Sequence, residues 1–148
     1  MIGTGSKDHF LNLSDLRQIM VEGFQSLDLA DKKVLFIIPD GTRTMPMAEM
    51  FAIIQEELVA KQVDFLVALG THQPMTDAQL SRHLGVKVVN GVFGGSHIYN
   101  HDWEKVETFV AIGTIPASEI EELSNGMLSM DVPVRLNKLV LAYDQIII

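Results

Sequence analysis

The sequence predicts an α/β fold, and three observations lead there. The segments Lys33–Pro39 and 64–69 are apolar throughout their centres, as strands covered on both faces of a parallel sheet are. Each is followed by a polar loop and then by a helix signal: Met47, Met50, Phe51, Ile54 and Leu58 at helical spacing after the first, the capping box Thr76-x-x-Gln79 after the second. The strand–loop–helix order therefore repeats, which implies βαβ units with right-handed crossovers. The expected architecture is Rossmann-like: three layers, with a mainly parallel sheet and helices on both faces.

Composition bounds the class. A chain of 148 residues with 47% hydrophobic and 20% charged residues fits a single globular α/β domain over 1–148. No apolar run approaches the ~20 residues that span a bilayer, so no membrane is expected. The first residues show no secretory apolar region, which makes the cytoplasm the expected compartment. The absence of cysteine excludes disulfides, thiolate metal sites and a cysteine nucleophile. A formal charge of -8 with no cluster of Lys or Arg argues against nucleic acid.

The elements follow in order. Leu16, Ile19, Met20, Phe24 and Leu27 predict a helix over 14–27 with Ser14 as its N-cap, weakened at Gly23. The strand Lys33–Pro39 leads to a helix whose first turn Pro46 suits. The strand 64–69 leads to a helix opened by the capping box Thr76-x-x-Gln79 and stopped at Gly85. Residues 86–89 predict a short third strand, Asn90-Gly91 and Gly94-Gly95 predict turns, and 100–103 a loop. Residues 106–112 alternate as a strand. Ser118-x-x-Glu121 predicts a second capping box and a short helix ending at Asn125-Gly126. Around Pro133 the chain reads as extended, at an edge or a strand start. Residues 137–142 read as helical and 145–148 as a buried strand. A chain that stops on a buried strand suggests a piece of something longer.

Two loops hold the candidate chemistry. Asp40-Gly41-Thr42-Arg43-Thr44-Met45-Pro46 and Gly70-Thr71-His72-Gln73-Pro74-Met75-Thr76 each lie between a strand and a helix. Ligands of open α/β sheets bind at the carboxyl ends of the strands, so both loops belong at one sheet edge. Arg43 offers a planar fork for a carboxylate or phosphate just before a helix N-terminus. Asp40 and Thr42 either orient it or close an Asx-type turn that leaves Arg43 solvated. His72 titrates near neutrality and either moves a proton or bonds a backbone carbonyl. Together, an anion clamp and a proton shuttle suit a 2-hydroxy acid. His83 is placed on a helix surface. His97 and His101 have metal-pair spacing only on a helix, and the preceding glycines argue for a loop there. Trp103 reads as a core anchor, and Glu121-Glu122 as a helix surface. No Walker A or G-x-G-x-x-G pattern occurs.

Asp40-x-Thr42-Arg43-x-x-Pro46, followed by Gly70-Thr71-His72-x-x-Met75-Thr76, resembles the N-terminal part of the nickel-dependent lactate racemase family. Asn100-His101-Asp102 and Pro133-Val134-x-x-Asn137-Lys138-Leu139-Val140 extend the resemblance over most of the chain. It implies a two-domain enzyme that racemises or epimerises 2-hydroxy acids in a cleft between its domains, with a nickel-pincer nucleotide as cofactor. In that chemistry the Cα–H leaves as hydride while a base takes the hydroxyl proton. The planar 2-oxo acid then takes hydride back on either face. The resemblance makes His72 one of two acid/base histidines and Asp40 a catalytic aspartate of the same site. It gives Arg43 the substrate carboxylate, and Thr42, Gly70 and Thr71 the cofactor.

Two departures follow. Gln73 stands where many members of the family carry a basic residue. The segment with the second histidine, the cofactor-bearing lysine and the nickel-ligating histidine would follow 146–148. The resemblance therefore implies half a site whose partner is a C-terminal domain of the same enzyme, with no resident metal and no activity alone. The alternatives are a non-enzymatic module that binds phosphate or carboxylate in the same loops, and an assembly domain if the loops stand far apart.

Overall fold

The computed structural model describes residues 2–5, 7–8 and 10–148. The expectation that the first residues form no leader falls partly on Met1 and Ser6, which lie outside the described residues. The elements in chain order are α1 (Leu13–Gln25), β1 (Lys33–Pro39), α2 (Met47–Glu57), β2 (Gln62–Ala68), α3 (Asp77–Leu84), β3 (Val92–Phe93), β4 (Ser96–Asn100), β5 (Phe109–Ile115), α4 (Ala117–Leu123), β6 (Val132–Asn137) and β7 (Gln145–Ile147). The chain divides into two compact units, one of residues 1–101 with 143–148, the other of residues 102–142.

The larger unit is α/β, as the apolar runs predict. Its five strands lie in the order β3-β4-β2-β1-β7. β1 pairs in parallel with β2 and β7, β2 pairs in parallel with β4, and only β3 runs antiparallel. Helices flank this mostly parallel sheet. Val34, Phe36 and Ile38 alternate onto one face, as the period of a strand requires. There they meet Phe51 and Ile54 of α2, Leu80 and Leu84 of α3, and Met20 and Phe24 of α1. Phe65 sits at the centre, 4.8 Å from the Phe51 ring and 5.5 Å from the Phe36 ring between centroids. Burying each such side chain contributes about 1.5–3 kcal/mol.

The helix boundaries show which local signals hold. Thr76 and Gln79 form the expected capping box, and Gly85 ends α3 with φ 69°. A side chain at Gly85 would also stand 2.9 Å from the Ala48 Cβ, so the glycine both turns the chain and lets α3 approach α2. At α1 the cap is Asn12 instead of Ser14. Its carboxamide oxygen accepts from the Ser14 and Asp15 N–H groups, and Asp15 reciprocates. Ser14 thus lies within the first turn.

The predicted third strand at 86–89 does not form; only Val89 bridges to Val92. Gly94 and Gly95, both with positive φ, instead turn β3 back onto β4. His97 therefore stands on a strand and not in the predicted loop.

The smaller unit pairs β5 with β6 antiparallel, with an irregularity between Ala111 and Gly113. Residues 106–108 are a 3-10 turn, so the strand predicted from 106 begins at Phe109. The expected Ser118–Glu121 box is absent. The helix α4 starts two residues earlier, with Pro116 at its N-cap, and Asp131 accepts from the Ala117 N–H at 2.9 Å. Pro133 lies in β6, a strand of this two-stranded ladder, as its missing N–H allows. Residues 138–141 are 3-10 where helix was expected, and Trp103 is half-buried where a core anchor was expected.

Candidate functional site

β1 and β2 are parallel, with Pro39 level with Ala68, so their loops leave the sheet at the same end. Asp40 follows β1 directly and is buried. One carboxylate oxygen accepts from the Thr42 N–H at 3.0 Å and from its hydroxyl at 2.5 Å, closing the Asx-type turn. The other meets His72 Nδ1 at 2.5 Å. His72 is held from its own loop too, its N–H donating to the Leu69 carbonyl at 2.9 Å. The two loops, 32 residues apart in sequence, thus close on a carboxylate–imidazole pair.

This pairing assigns the imidazole tautomer. An ionised carboxylate only accepts, so Nδ1 carries the proton and the basic lone pair lies on Nε2. Ionisation of Asp40 is secured by its surroundings. The His72 hydrogen bond first, and the Thr42 hydroxyl next, lower its pKa to about 2. A depressed carboxyl pKa contributes stability that is complete above the unfolded value, near 3.9. That contribution is lost as pH falls from about 4 toward 2. Asp40→Asn should abolish this acid slope. Urea denaturation of both proteins across pH 2–5 checks it: their stability difference should be constant above about pH 5 and shrink below pH 4.

The pair opens onto a cavity of about 640 Å³ lined by Asp40, Thr42, His72, Gln73, Arg82 and His83 among others. Residues 46–49, around the start of α2, form another part of the wall. α2 has no side-chain cap, so its N-terminal dipole adds positive potential for an anion. Loop 70–76 is fixed from β4: the Asn100 carboxamide accepts from the Met75 N–H at 2.9 Å and donates to its carbonyl at 3.0 Å.

The remaining predicted residues are placed as follows. Arg43 is exposed, in the turn closed by Asp40, and outside the cavity lining. Thr42 lines the cavity, but its hydroxyl proton goes to Asp40. Gly70, with φ 59°, and Thr71 are exposed at the loop tip. His83, expected on the surface, is half-buried and bonded to the Pro39 carbonyl at 2.9 Å. Sequence reasoning missed it because helical spacing alone does not show which histidine reaches back to the preceding strand.

Asp64 was also missed. It is fully buried in β2 and accepts from the His97 N–H and the Tyr143 hydroxyl, each at 2.6 Å, and from Gln62 Nε2 at 2.5 Å. Burial, then the Asp64 carboxylate, pushes the Tyr143 phenol far above its ordinary pKa. This network lies toward the amino end of β2, away from the two loops.

Residues 16–148 match the family described as the lactate racemase N-terminal domain. The chain belongs to that family. Its fold is similar to that of a crystal structure of a protein from Thermotoga maritima, at 25% sequence identity and a TM-score of 0.68. That match covers 93% of this chain and 34% of the other, so this chain spans about a third of that protein's length. A search of curated proteins finds no match.

Membership in an isomerase family agrees with the resemblance carried by the two loop motifs. No helix among the described residues is long and apolar enough to cross a membrane. Among the described residues no group of three or more His, Cys, Asp or Glu is placed to hold a metal ion. Around Gly70 an added Cβ would meet nothing within 4 Å.

Proposed function

We propose that this domain supplies the proton-transferring half of a 2-hydroxy acid racemase or epimerase. The observation that carries the reading is the Asp40–His72 pair facing a cavity at the carboxyl edge of a parallel sheet. In this reading the ligand carboxylate lies near the start of α2, and the exposed Arg43 of the preceding turn would turn its guanidinium inward to meet it. His72 Nε2 accepts the proton of the 2-hydroxyl and later returns it, while a nickel-pincer nucleotide, when bound, would supply the acceptor that takes the Cα hydride and gives it back. Asp40 stabilises the imidazolium formed between the two events, since opposite charges in contact favour the charged ring. The nickel-pincer nucleotide implied by the family would find its metal ligands outside the described residues of this chain, and the second acid/base histidine would likewise come from a C-terminal domain. Supporting a further domain, Leu123, Met127, Leu128 and Met130 of the smaller unit are exposed, an apolar segment suited to cover.

Binding needs only the residues present here. Calorimetric titration of the chain with D- and L-lactate should show binding weakened about tenfold or more by Arg43→Ala, the loss of a charge-assisted hydrogen-bonding pair. His72→Ala should weaken it less. Inorganic phosphate bound as tightly as lactate, sensitive to Arg43 but indifferent to His72, would instead make the domain a simple anion-binding module.

A further inference from the structure

The cavity contains a second imidazole that the proton-transfer reading does not use. His83 projects from α3, and its Nε2 lies 2.9 Å from the Pro39 carbonyl oxygen. A carbonyl oxygen only accepts, so Nε2 carries the proton and, in the neutral ring, the lone pair falls on Nδ1. Nδ1 makes no hydrogen bond among the described residues, and it is not a sealed polar atom. It lies beside Gly41, where an added Cβ would stand 3.9 Å away, with Met75 Cε at 3.6 Å. Gly41 has no positive φ that would demand glycine. The missing side chain keeps this stretch of wall thin in front of the nitrogen. Both Gly41 and His83 line the cavity that holds Asp40 and His72.

One hydroxyl proton can satisfy only one of these two acceptors. If the 2-hydroxyl goes to His72, as the proposed function has it, His83 needs another donor from the same ligand. We infer that His83 Nδ1 accepts a second ligand hydroxyl, so that the site takes polyhydroxylated 2-hydroxy acids, of which glycerate is the smallest, in preference to lactate. The Pro39 carbonyl acts as the positioning group: it presets the ring and tautomer, so no reorientation is needed on binding. A ligand that lacks the second hydroxyl leaves Nδ1 to water, and the penalty is that of one neutral hydrogen bond.

Glycerate and lactate differ by that one hydroxyl, so their affinity ratio reads the contact directly. Calorimetry on the chain should give glycerate a preference of about three- to tenfold, the worth of one such bond. His83→Leu should bring the ratio to one. His83→Gln, which can still donate to Pro39 and offer an oxygen, should keep part of the preference. Spectra of the 15N-histidine-labelled chain should show His83 protonated on Nε2, with its Nδ1 resonance moved by glycerate and not by lactate. Equal affinities in the wild type, a preference unchanged in His83→Leu, or an Nδ1-protonated His83 would each overturn the inference. If both acids still bind in a manner dependent on His72, the proposed function survives that failure. If neither acid binds, or His72→Ala leaves both unchanged, the proposed function fails and the inference falls with it.

Discussion

Replacing His72 with alanine is expected to lower lactate turnover about 10²–10⁴-fold in an enzyme that carries this domain, the range for losing a positioned acid/base group. The ring is more than half exposed and outside the core, so folding should survive the change. Binding should change much less than turnover, because the carboxylate contacts do not involve the ring. A large drop in kcat with only a modest rise in KM is therefore the expected pattern. Circular dichroism on the same sample separates lost chemistry from lost structure. His72→Ala with ordinary turnover would remove His72 from the reaction.

The second large effect concerns stability. Asp64→Ala should destabilise the domain by about 3–5 kcal/mol, the summed cost of buried donors that lose their shared acceptor, at roughly 1–3 kcal/mol each. The carboxylate accepts three hydrogen bonds in a fully buried position. The donors come from β2 itself, from β4, and from Tyr143 just before β7. Removing the acceptor takes the carboxylate from a backbone N–H, a phenol and an amide at once. Tyr143→Phe deletes one donor and should cost about 1.5–3 kcal/mol alone. In the Asp64→Ala background it should cost less, because the bond to the carboxylate is already gone. Urea denaturation of the four proteins measures this cycle. Additive losses, or an Asp64→Ala cost below about 1 kcal/mol, would contradict the network.

What the sequence made legible was local. Lys33–Pro39 is read correctly because a strand buried on both faces leaves an unbroken apolar run. Thr76, Gln79 and Gly85 are read correctly because capping chemistry is completed within a few residues. The same logic misleads at Ser118, where the pattern is present but Pro116 has already begun the helix. It misses β3 because two residues have no period to detect.

The candidate site was legible as two loops at one sheet edge. The bond between them was not, since Asp40 and His72 meet only through the register that sets Pro39 beside Ala68. Arg43 illustrates the limit: its position in the turn follows from sequence, but its place outside the cavity lining does not. Asp64 is harder still. Its partners His97 and Tyr143 lie 33 and 79 residues away, and nothing near Asp64 in sequence announces a buried carboxylate.

The account rests on Asp40 holding His72 with its basic lone pair on Nε2. The direct measurement is a 15N–1H long-range correlation spectrum of the histidine-labelled chain above pH 7.5, with Asp40→Asn as control. The account predicts His72 as the Nδ1–H tautomer in the wild type, and loss of that preference in Asp40→Asn. A wild-type His72 protonated on Nε2, or one indifferent to Asp40→Asn, would contradict it.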